Sequence, residues 1–502
     1  MSRINKKNRA ATSGSGSGNE YPDLLTKPLV ITIAVICLGC LQFGYHIAEL
    51  NAPQQVMSCS EFSNKINNEG IPFSDTWLGR HNFTQCIPLD NSQIGTVTSM
   101  FTIGGLFGSY FASSISKSYG RKKTAFIANI INAIGSYILF ASNSYTSLII
   151  GRLIVGLGSG IFIVNAPLFI SEVTPLSLKG LMGSMNQVSI NLGIILTQFC
   201  ALFFANAYQW RWILFVAFIV SICNMVLLVY IRESPKWLVQ NHDLTNAELS
   251  LFSLRLRSDI VKDELSEIQK DLNNEQLIDG YDTLEANSSN MTNSSPSLWE
   301  YVTSSTFKKP RNAITMILMG QQFCGINSII FYGVKVISNL TPNWALQINF
   351  AISILNVIMT VVSSFVIDKK GRKPLLLIST SILSISAFLI SVSITQDIVS
   401  LLVISLFVYI AAFAFGLGPI PFLIISELSS PNDSVIAQSY GTICNWLATF
   451  VVAYCFPVLH DLLGGYVYTI FGVFGTVFTF YILKRVPETR GKSSYTQVWS
   501  DY

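Results

Sequence analysis

The sequence predicts an all-α polytopic membrane protein with twelve transmembrane helices in two pseudo-symmetric six-helix bundles. Half of the 502 residues are hydrophobic and 12% are charged, against about 25% charged residues in an ordinary soluble domain. Uncharged runs of about 20 residues are long enough to cross the hydrocarbon layer of a bilayer. Short charged motifs recur at a nearly constant distance, which indicates two homologous halves.

Three short motifs carry this repeat. They are PLFISE at 167–172 and PFLIISE at 421–427, GRKK at 120–123 and GRKP at 371–374, and RESPK at 232–236 and VPETR at 486–490. Glu172 and Glu233 recur after 255 residues, and Gly120 recurs after 251. In so apolar a chain, this spacing is typical of a transporter built from two bundles of helices.

Uncharged runs locate the individual spans. We predict them at 28–53, 92–115, 122–141, 147–171, 183–205, 211–231, 313–338, 343–367, 373–394, 398–426, 436–459 and 464–483. The resulting domains are a disordered N-terminal tail (1–27), an N-terminal bundle (28–231), a cytoplasmic linker with short helices (232–312), a C-terminal bundle (313–483) and a C-terminal tail (484–502). Within the linker, 244–272 has a helical pattern, whereas the Asn/Ser-rich stretch 286–297 is typical of a flexible segment.

Lysine and arginine residues at the span ends predict the orientation. They lie in the N-terminal tail, in the links at 117–123 and 369–373, and at 484–485, whereas the link 142–147 has none. The positive-inside rule therefore predicts that both termini face the cytoplasm. The net charge of +4 follows from this bias, so it does not indicate a nucleic-acid partner.

The large outward loop, 54–91, holds Cys59 and Cys86. A disulfide between them and two free thiols are alternatives that the sequence leaves open. Asn82 in this loop and Asn339 in another outward link begin glycosylation sequons on the appropriate side of the membrane.

Carboxamide side chains within the spans indicate a substrate site. They are Gln187, Gln321, Gln322, Asn327, Asn356 and Asn445. Because an amide both donates and accepts, two or three of them can bind a vicinal diol, whereas a charged substrate would need a matching charge. The alternative is that they only join helices. Their number, with Phe422 and Trp446 as flat apolar neighbours, favours a pocket for a neutral polyol.

The segment GLGPIP at 416–421 interrupts the tenth predicted span. Proline removes a backbone donor and clashes with the preceding turn, so the helix must bend or break there. Broken helices in transporters lie at substrate sites and gates. We therefore interpret Gly418, Pro419 and Pro421 as a hinge, with a static kink as the alternative.

Charged residues of the repeated motifs lie near the cytoplasmic helix ends and suggest a gate. They are Arg121, Glu172, Lys179, Glu233, Arg372, Glu427 and Glu488. Ion pairs between the two bundles would hold this side shut while the other side is open. An exposed pair contributes only about 0–1 kcal/mol, so a network is needed. The alternative is that these residues end helices and obey the orientation rule.

Taken together, the motifs resemble the sugar porter branch of the major facilitator superfamily, and specifically its facilitative glucose transporters. The resemblance extends from Leu41 to Lys492 and rests on LQFGY at 41–45, NAPQ at 51–54, QQ and GIN within 321–327, GPIP at 418–421, NW at 445–446 and PETRG at 487–491. It implies the major facilitator fold, alternating access and a central hexose site. The residues that match that site are Gln187, Gln321, Gln322, Asn327, Asn356, Phe422 and Asn445, with Trp446 nearby.

The chain departs from the family pattern in its first helix. His46 stands where proton-coupled sugar porters generally have Asp and facilitative ones have Asn, and Glu49 replaces an apolar residue. Residues three apart share a helix face, and Arg152 matches the family's arginine near the coupling acid. Our hypothesis is a proton-coupling cluster of His46, Glu49 and Arg152, since histidine titrates near physiological pH. The alternative is a static Glu49–Arg152 pair and simple facilitated diffusion.

The N-terminal tail contains EYPDLL at 20–25, which resembles an acidic dileucine sorting signal for lysosomes and vacuoles. With the predicted proton cluster, it favours the vacuolar membrane of a fungal member of the family over the plasma membrane.

Other functions remain as alternatives. A non-transporting sugar sensor would be expected to have a long cytoplasmic tail, but few residues follow the twelfth span. A proton–polyol carrier is a further alternative. An enzyme is not indicated, because the sequence has no metal-ligand cluster, phosphate-binding loop or nucleophile–base pattern; we expect no cofactor and no metal. The expected partners are a small neutral sugar, protons and membrane lipid.

Overall fold

The structure is a computed structural model of the chain. It describes residues 25–60, 72–175, 178–255, 257–258, 260–270, 298–430, 433–490, 492 and 495–500. Regular secondary structure in this part of the chain is helical throughout. The predicted disordered tail up to residue 24, including the dileucine segment up to Leu24, and the stretch 286–297 lie outside the described residues, and the first helix begins at Lys27, the last residue of the predicted tail.

Six spanning helices form each half of the molecule. Those of the N-terminal half are Lys27–Ala48, Asn91–Tyr119, Arg121–Phe140, Tyr145–Val173, Lys179–Phe204 and Trp210–Tyr230. Those of the C-terminal half are Lys308–Phe323 continued by Ile326–Ser338, Ala345–Lys370, Arg372–Thr395, Val399–Ala412 continued by Phe413–Leu417 and Ile420–Leu428, Ser434–Leu463, and Val467–Arg485. All twelve predicted spans are present, with ends shifted by a few residues.

Length and hydropathy identify ten described segments as able to cross a membrane, and the segment Ile436–Arg485 contains two of the helices. The second helix is not among them because it is rich in Gly and Ser. A Cβ on Gly104 or Gly108 would lie 2.1 Å from a backbone oxygen of the fourth helix. Small residues let membrane helices approach this closely, so close packing explains the low hydropathy of this span.

The seventh helix is divided, where the sequence predicts one continuous span. Gly325 has φ +94° and separates Lys308–Phe323 from Ile326–Ser338. Glycine adopts this left-handed conformation at little cost, whereas a side chain would be strained. A Cβ at this position would also lie 2.4 Å from the Phe471 ring.

Short helices complete the chain. In the large loop, Cys59 and Cys86 form a disulfide, which resolves the alternative that the sequence leaves open. In the linker, helix Leu244–Arg255 and a helical stretch over 260–270 occupy the region of the predicted helical pattern. Arg255 joins this linker to the N-terminal half, because it donates to the carbonyl of Val173 (3.0 Å) and pairs with Glu264 (2.7 Å).

The twelve spans place the start of the first helix, Lys27, and the end of the twelfth, Arg485, on one face, here called the terminal side. The disulfide of Cys59 and Cys86 lies on the opposite face, here called the loop side. Hydrogen bonds between the halves cluster toward the loop side. Asn51 accepts from the N–H of Val334 (2.9 Å), and Gln55 donates to Ser338 (2.8 Å). Phe422, near the terminal side, is 37% exposed. The structure is therefore closed on the loop side.

Candidate functional site

Four of the predicted substrate residues form one hydrogen-bonded chain. Asn327 donates to Oε1 of Gln322 (2.5 Å), and Gln322 donates to Oε1 of Gln321 (3.3 Å). Asn445 of the eleventh helix donates to the same Gln321 oxygen (2.9 Å). Gln321, Gln322 and Asn327 are buried and Asn445 is half-buried. This amide chain offers neutral donors and acceptors side by side, which suits hydroxyl groups better than charges.

Gln321 also connects the amide chain to the break in the tenth helix. Its Nε2 donates to the carbonyls of Leu417 (2.8 Å) and Gly418 (3.2 Å). Phe413–Leu417 is a π-helical turn, in which the N–H of Gly418 donates to the carbonyl of Phe413 (2.8 Å). Such turns are frequent at functional sites. The tenth helix is interrupted at the predicted segment, and its action as a hinge stays a prediction.

Serines of two neighbouring helices stabilise the same break. Ser379 of the ninth helix accepts from the N–H of Leu417 (3.0 Å) and donates to the carbonyl of Ala412 (2.6 Å). Ser363 of the eighth helix donates to the carbonyl of Phe415 (2.7 Å). Inside a membrane, backbone groups freed from a helix need such partners. The break is therefore a bonded element of the fold rather than a locally unfolded turn.

The other predicted substrate residues lie outside the amide chain. Trp446 follows Asn445 and donates from its indole to Ser109 of the second helix (3.1 Å), so it reaches the opposite half. Gln187 is half-buried on the fifth helix, and Phe422 is partly exposed on the tenth. Asn356 lines a small cavity between the halves, which five isoleucines line together with the polar residues Asn51, Gln198, Asn349 and Ser353.

The three residues of the predicted coupling cluster are in direct contact. Arg152 donates to Oε1 of Glu49 (2.8 Å) and to the backbone carbonyl of His46 (2.8 Å). His46 Nδ1 lies 3.0 Å from Oε2 of the same carboxylate. An ionised carboxylate only accepts, so in that state of Glu49 the His46 Nδ1 is the donor. All three side chains are completely buried.

Arg152 has few other polar partners. Its Nε and Nη2 have no hydrogen-bond partner in the part of the chain that the structure describes, and neither has Nε2 of His46. The guanidinium lies over the Phe101 ring, 4.7 Å from its centroid. Removal of one partner from a buried ion pair costs about 3–5 kcal/mol, because it leaves an uncompensated charge. A change in the charge of Glu49 would therefore strongly affect this site.

The predicted gate residues of the N-terminal half are paired within that half. Arg121 binds Glu172 through two hydrogen bonds, at 2.6 and 2.8 Å. Glu233 accepts from the backbone N–H groups of Arg121 (2.8 Å) and Lys122 (3.0 Å), at the start of the third helix. A carboxylate is favourable there because the N-terminus of a helix carries partial positive charge.

The C-terminal half repeats this arrangement. Arg372 pairs with Glu427 (2.9 Å), and Glu488 accepts from the backbone N–H groups of Arg372 (3.0 Å) and Lys373 (3.1 Å). The side chain of Lys179 lies outside the described part. Since these pairs form within each half, cross-bundle pairing in a state that is open on the loop side stays a prediction.

Several residues that join the halves were not anticipated. Asn191 of the fifth helix donates to Thr360 of the eighth (2.8 Å). On the loop side, Lys335 donates to Asn91 (2.6 Å), and Asn91 donates to Asp461. A polar residue within an apolar run is a signal for such contacts, but its partner depends on the tertiary arrangement.

Two six-helix halves that close on one side around neutral amides and a buried ionic cluster define a membrane transporter of the major facilitator type. The chain belongs to the family described as "Sugar (and other) transporter", which it matches over residues 31–499. The members of this family are transporters rather than enzymes, and the protein is an integral membrane protein.

Similar proteins cover nearly the whole chain. A probable metabolite transport protein of Saccharomyces cerevisiae, YBR241C, is 50% identical over 97% of this chain and 98% of its own. The vacuolar protein sorting-associated protein 73 of the same yeast is 47% identical over 93% and 95%. Human solute carrier family 2, facilitated glucose transporter member 4, is 28% identical over 96% and 92%. Among solved structures, the inward-open xylose transporter XylE from E. coli has a TM-score of 0.73 at 23% identity, covering 94% of this chain and 100% of its own.

Proposed function

We propose that this protein transports a neutral hexose by alternating access and that the movement is coupled to a proton. The observation that carries the proposal is the buried Glu49 carboxylate, which accepts from both Arg152 and His46. A fully buried carboxylate with these two partners is not required for facilitated diffusion of a neutral solute. It is suited to proton exchange when one side of the protein opens to water.

A hexose is the proposed substrate because the amide chain is neutral and densely hydrogen-bonding. Gln321 accepts from both Gln322 (3.3 Å) and Asn445 (2.9 Å), and each amide can exchange its internal partner for a sugar hydroxyl. Trp446, which follows Asn445 in the sequence, adds a flat apolar surface. The 28% identity to a protein named as a glucose transporter supports the same substrate class.

The proton step follows from charge balance. In the state closed on the loop side, Arg152 and Glu49 neutralise each other. When the loop side opens, a proton from the solution there binds the carboxylate, and Arg152 loses its negative partner. The transition to the terminal-open state carries sugar and proton together, and the carboxylate then releases its proton to the terminal side. Proton and sugar thus move in the same direction.

We further propose that the terminal side faces the cytosol and that the protein lies in a vacuolar membrane. The orientation rests on the Lys and Arg residues of the terminal-side links. The membrane is suggested by the sorting-like segment and by the relative named for vacuolar protein sorting. In an acidic vacuole, proton coupling would drive sugar export into the cytosol.

A hexose uniporter is the second candidate, because the same Glu49–Arg152 contact would serve as a static neutral pair. Purified protein in liposomes separates the two. We expect a pH gradient with an acidic vesicle interior to drive labelled hexose out of the vesicles against its concentration gradient, together with protons. Equal rates of hexose efflux with and without the pH gradient would indicate a uniporter. A panel of hexoses, pentoses and inositol in the same vesicles distinguishes a hexose carrier from a polyol carrier.

A further inference from the structure

A single face of the second helix contacts both parts of the site. Residues 101, 105 and 109 are four apart and therefore lie in one row on an α-helix. Phe101 supports the Arg152 guanidinium, Gly105 lies under the indole of Trp446, and Ser109 accepts the indole hydrogen bond. The row thus extends from the ionic cluster of the N-terminal half to an aromatic residue of the C-terminal half.

Phe101 is the residue that both parts share. Its ring face lies 4.7 Å from the guanidinium carbon of Arg152, and its centroid lies 6.1 Å from that of Trp446, at an interplanar angle of 72°. Phe43 completes the contact, because it stacks on Phe101 (6.2 Å) and meets Trp446 edge-on (6.1 Å). Phe101 is completely buried, so its ring cannot move without displacing these neighbours.

Arg152 depends on this ring more than a well-bonded arginine would. Two of its three guanidinium nitrogens have no hydrogen-bond partner among the described residues. The cation is therefore held by Glu49, by one backbone carbonyl and by the aromatic face, and attraction of a cation to a ring strengthens in a dry site. When Glu49 binds a proton, the guanidinium loses its charged partner, and the His46 carbonyl and the Phe101 ring remain.

We infer that Phe101 is a positioning residue that links the protonation state of Glu49 to the sugar site through Trp446. This inference rests on the proposed proton coupling. Protonation of Glu49 shifts the guanidinium and displaces the Phe101 ring. This displacement changes the position of the Trp446 indole, next to Asn445 in the sequence. By linkage, a proton that tightens sugar binding is itself bound more tightly in the presence of sugar.

Other titratable side chains near Glu49 and Arg152 belong to two elements. They are His46 and Tyr45 on the first helix and Tyr332 on the seventh. None of them contacts Trp446 through the row on the second helix. A variant at position 101 therefore tests the link while it leaves these groups in place.

The test is the pH dependence of sugar affinity, measured with labelled glucose and purified full-length protein between pH 5.5 and 8.0. We expect the wild-type affinity to change by roughly 5-fold or more, the lower end of typical coupling. Phe101→Leu should reduce this ratio to less than about 2-fold, with binding retained at the favoured pH. Phe169→Leu, at an equally buried phenylalanine of the fourth helix, should retain the wild-type ratio.

Gly105→Ala provides an independent variant with an intact Phe101. Its methyl group would lie 2.6 Å from the indole carbons of Trp446, so it should displace the indole and also flatten the pH dependence. Equal pH ratios in wild type, Phe101→Leu and Gly105→Ala would overturn the link but leave proton coupling standing. A wild type without pH dependence and without proton-driven transport would overturn the proposed coupling, and the link with it.

Discussion

Arg152 and Glu49 form a fully buried ion pair at 2.8 Å between the fourth and first helices. The carboxylate is one residue beyond the end of the first helix, and Asn51, two residues later, binds the backbone of the seventh helix in the other half. The ionic cluster and the loop-side closure therefore belong to one short segment. A change in the charge of Glu49 acts directly next to a contact that closes the protein.

Replacement of Glu49 by Gln should uncouple transport. Gln keeps the size of the side chain and can still accept from Arg152, but it cannot bind or release a proton. We expect Glu49→Gln to lose accumulation driven by a pH gradient while it retains exchange of labelled for unlabelled sugar. Parallel assays of gradient-driven uptake and exchange in proteoliposomes measure this.

Glu248→Gln is the matched control, because Glu248 is exposed on a linker helix. It should behave as wild type in both assays. Retained gradient-driven accumulation in Glu49→Gln would exclude the carboxylate as the proton site.

Loss of the Gln321 side chain should weaken sugar binding. Gln321 is the centre of the amide chain and also binds the broken tenth helix through Leu417. An unpaired buried polar group costs about 1–3 kcal/mol, so Gln321→Ala should raise the KM for sugar roughly 5- to 150-fold. Gln347→Ala, at an exposed position of the eighth helix, is the control. An unchanged KM in Gln321→Ala would remove the amide chain from the sugar site.

The sequence predicts the twelve spans well because burial in a bilayer leaves a long, uniform signal. It also identifies Gln321, Gln322, Asn327 and Asn445, since amides stand out among apolar residues. Their order of hydrogen bonding is not predictable, because it depends on how the seventh, tenth and eleventh helices pack. The same limit applies to the charged motifs. Their repetition predicts a gate, but it does not predict that Arg121 pairs with Glu172 inside one half.

The break in the seventh helix shows why some features are missed. The break in the tenth helix contains two prolines, which are incompatible with a regular helix. Gly325 in the seventh helix allows a helix to end but does not require it. Apolar residues continue on both sides of it, so the pattern predicts an uninterrupted span. The break is stabilised by tertiary contacts, such as the bond from Tyr409 to the carbonyl of Cys324 (2.6 Å).

Glycosylation provides a test of the orientation. Asn82 is exposed on the loop side, and Asn339 follows the seventh helix on the same side. If this side faces the lumen of the secretory pathway, enzymatic removal of N-glycans should increase the gel mobility of the protein expressed in yeast. The double variant Asn82→Gln/Asn339→Gln, without enzymatic treatment, should migrate like the deglycosylated wild type. Asn293→Gln, in the sequon of the linker that the sequence predicts to be cytoplasmic, is the control and should migrate as wild type. A mobility shift caused by Asn293→Gln alone would contradict the predicted orientation.

Asn51 should control the equilibrium between the two open states. Its side chain is buried and accepts from the N–H of Val334 in the other half. Asn51→Ala leaves that N–H without this partner, which should destabilise the loop-closed state by about 1–3 kcal/mol. Spin labels at Ser92 and Leu462, on opposite halves of the loop side, should then show a larger population at long distance. Gln347→Ala should leave the distance distribution unchanged, and an unchanged distribution in Asn51→Ala would mean that the closure depends on other contacts, such as the one between Lys335 and Asn91.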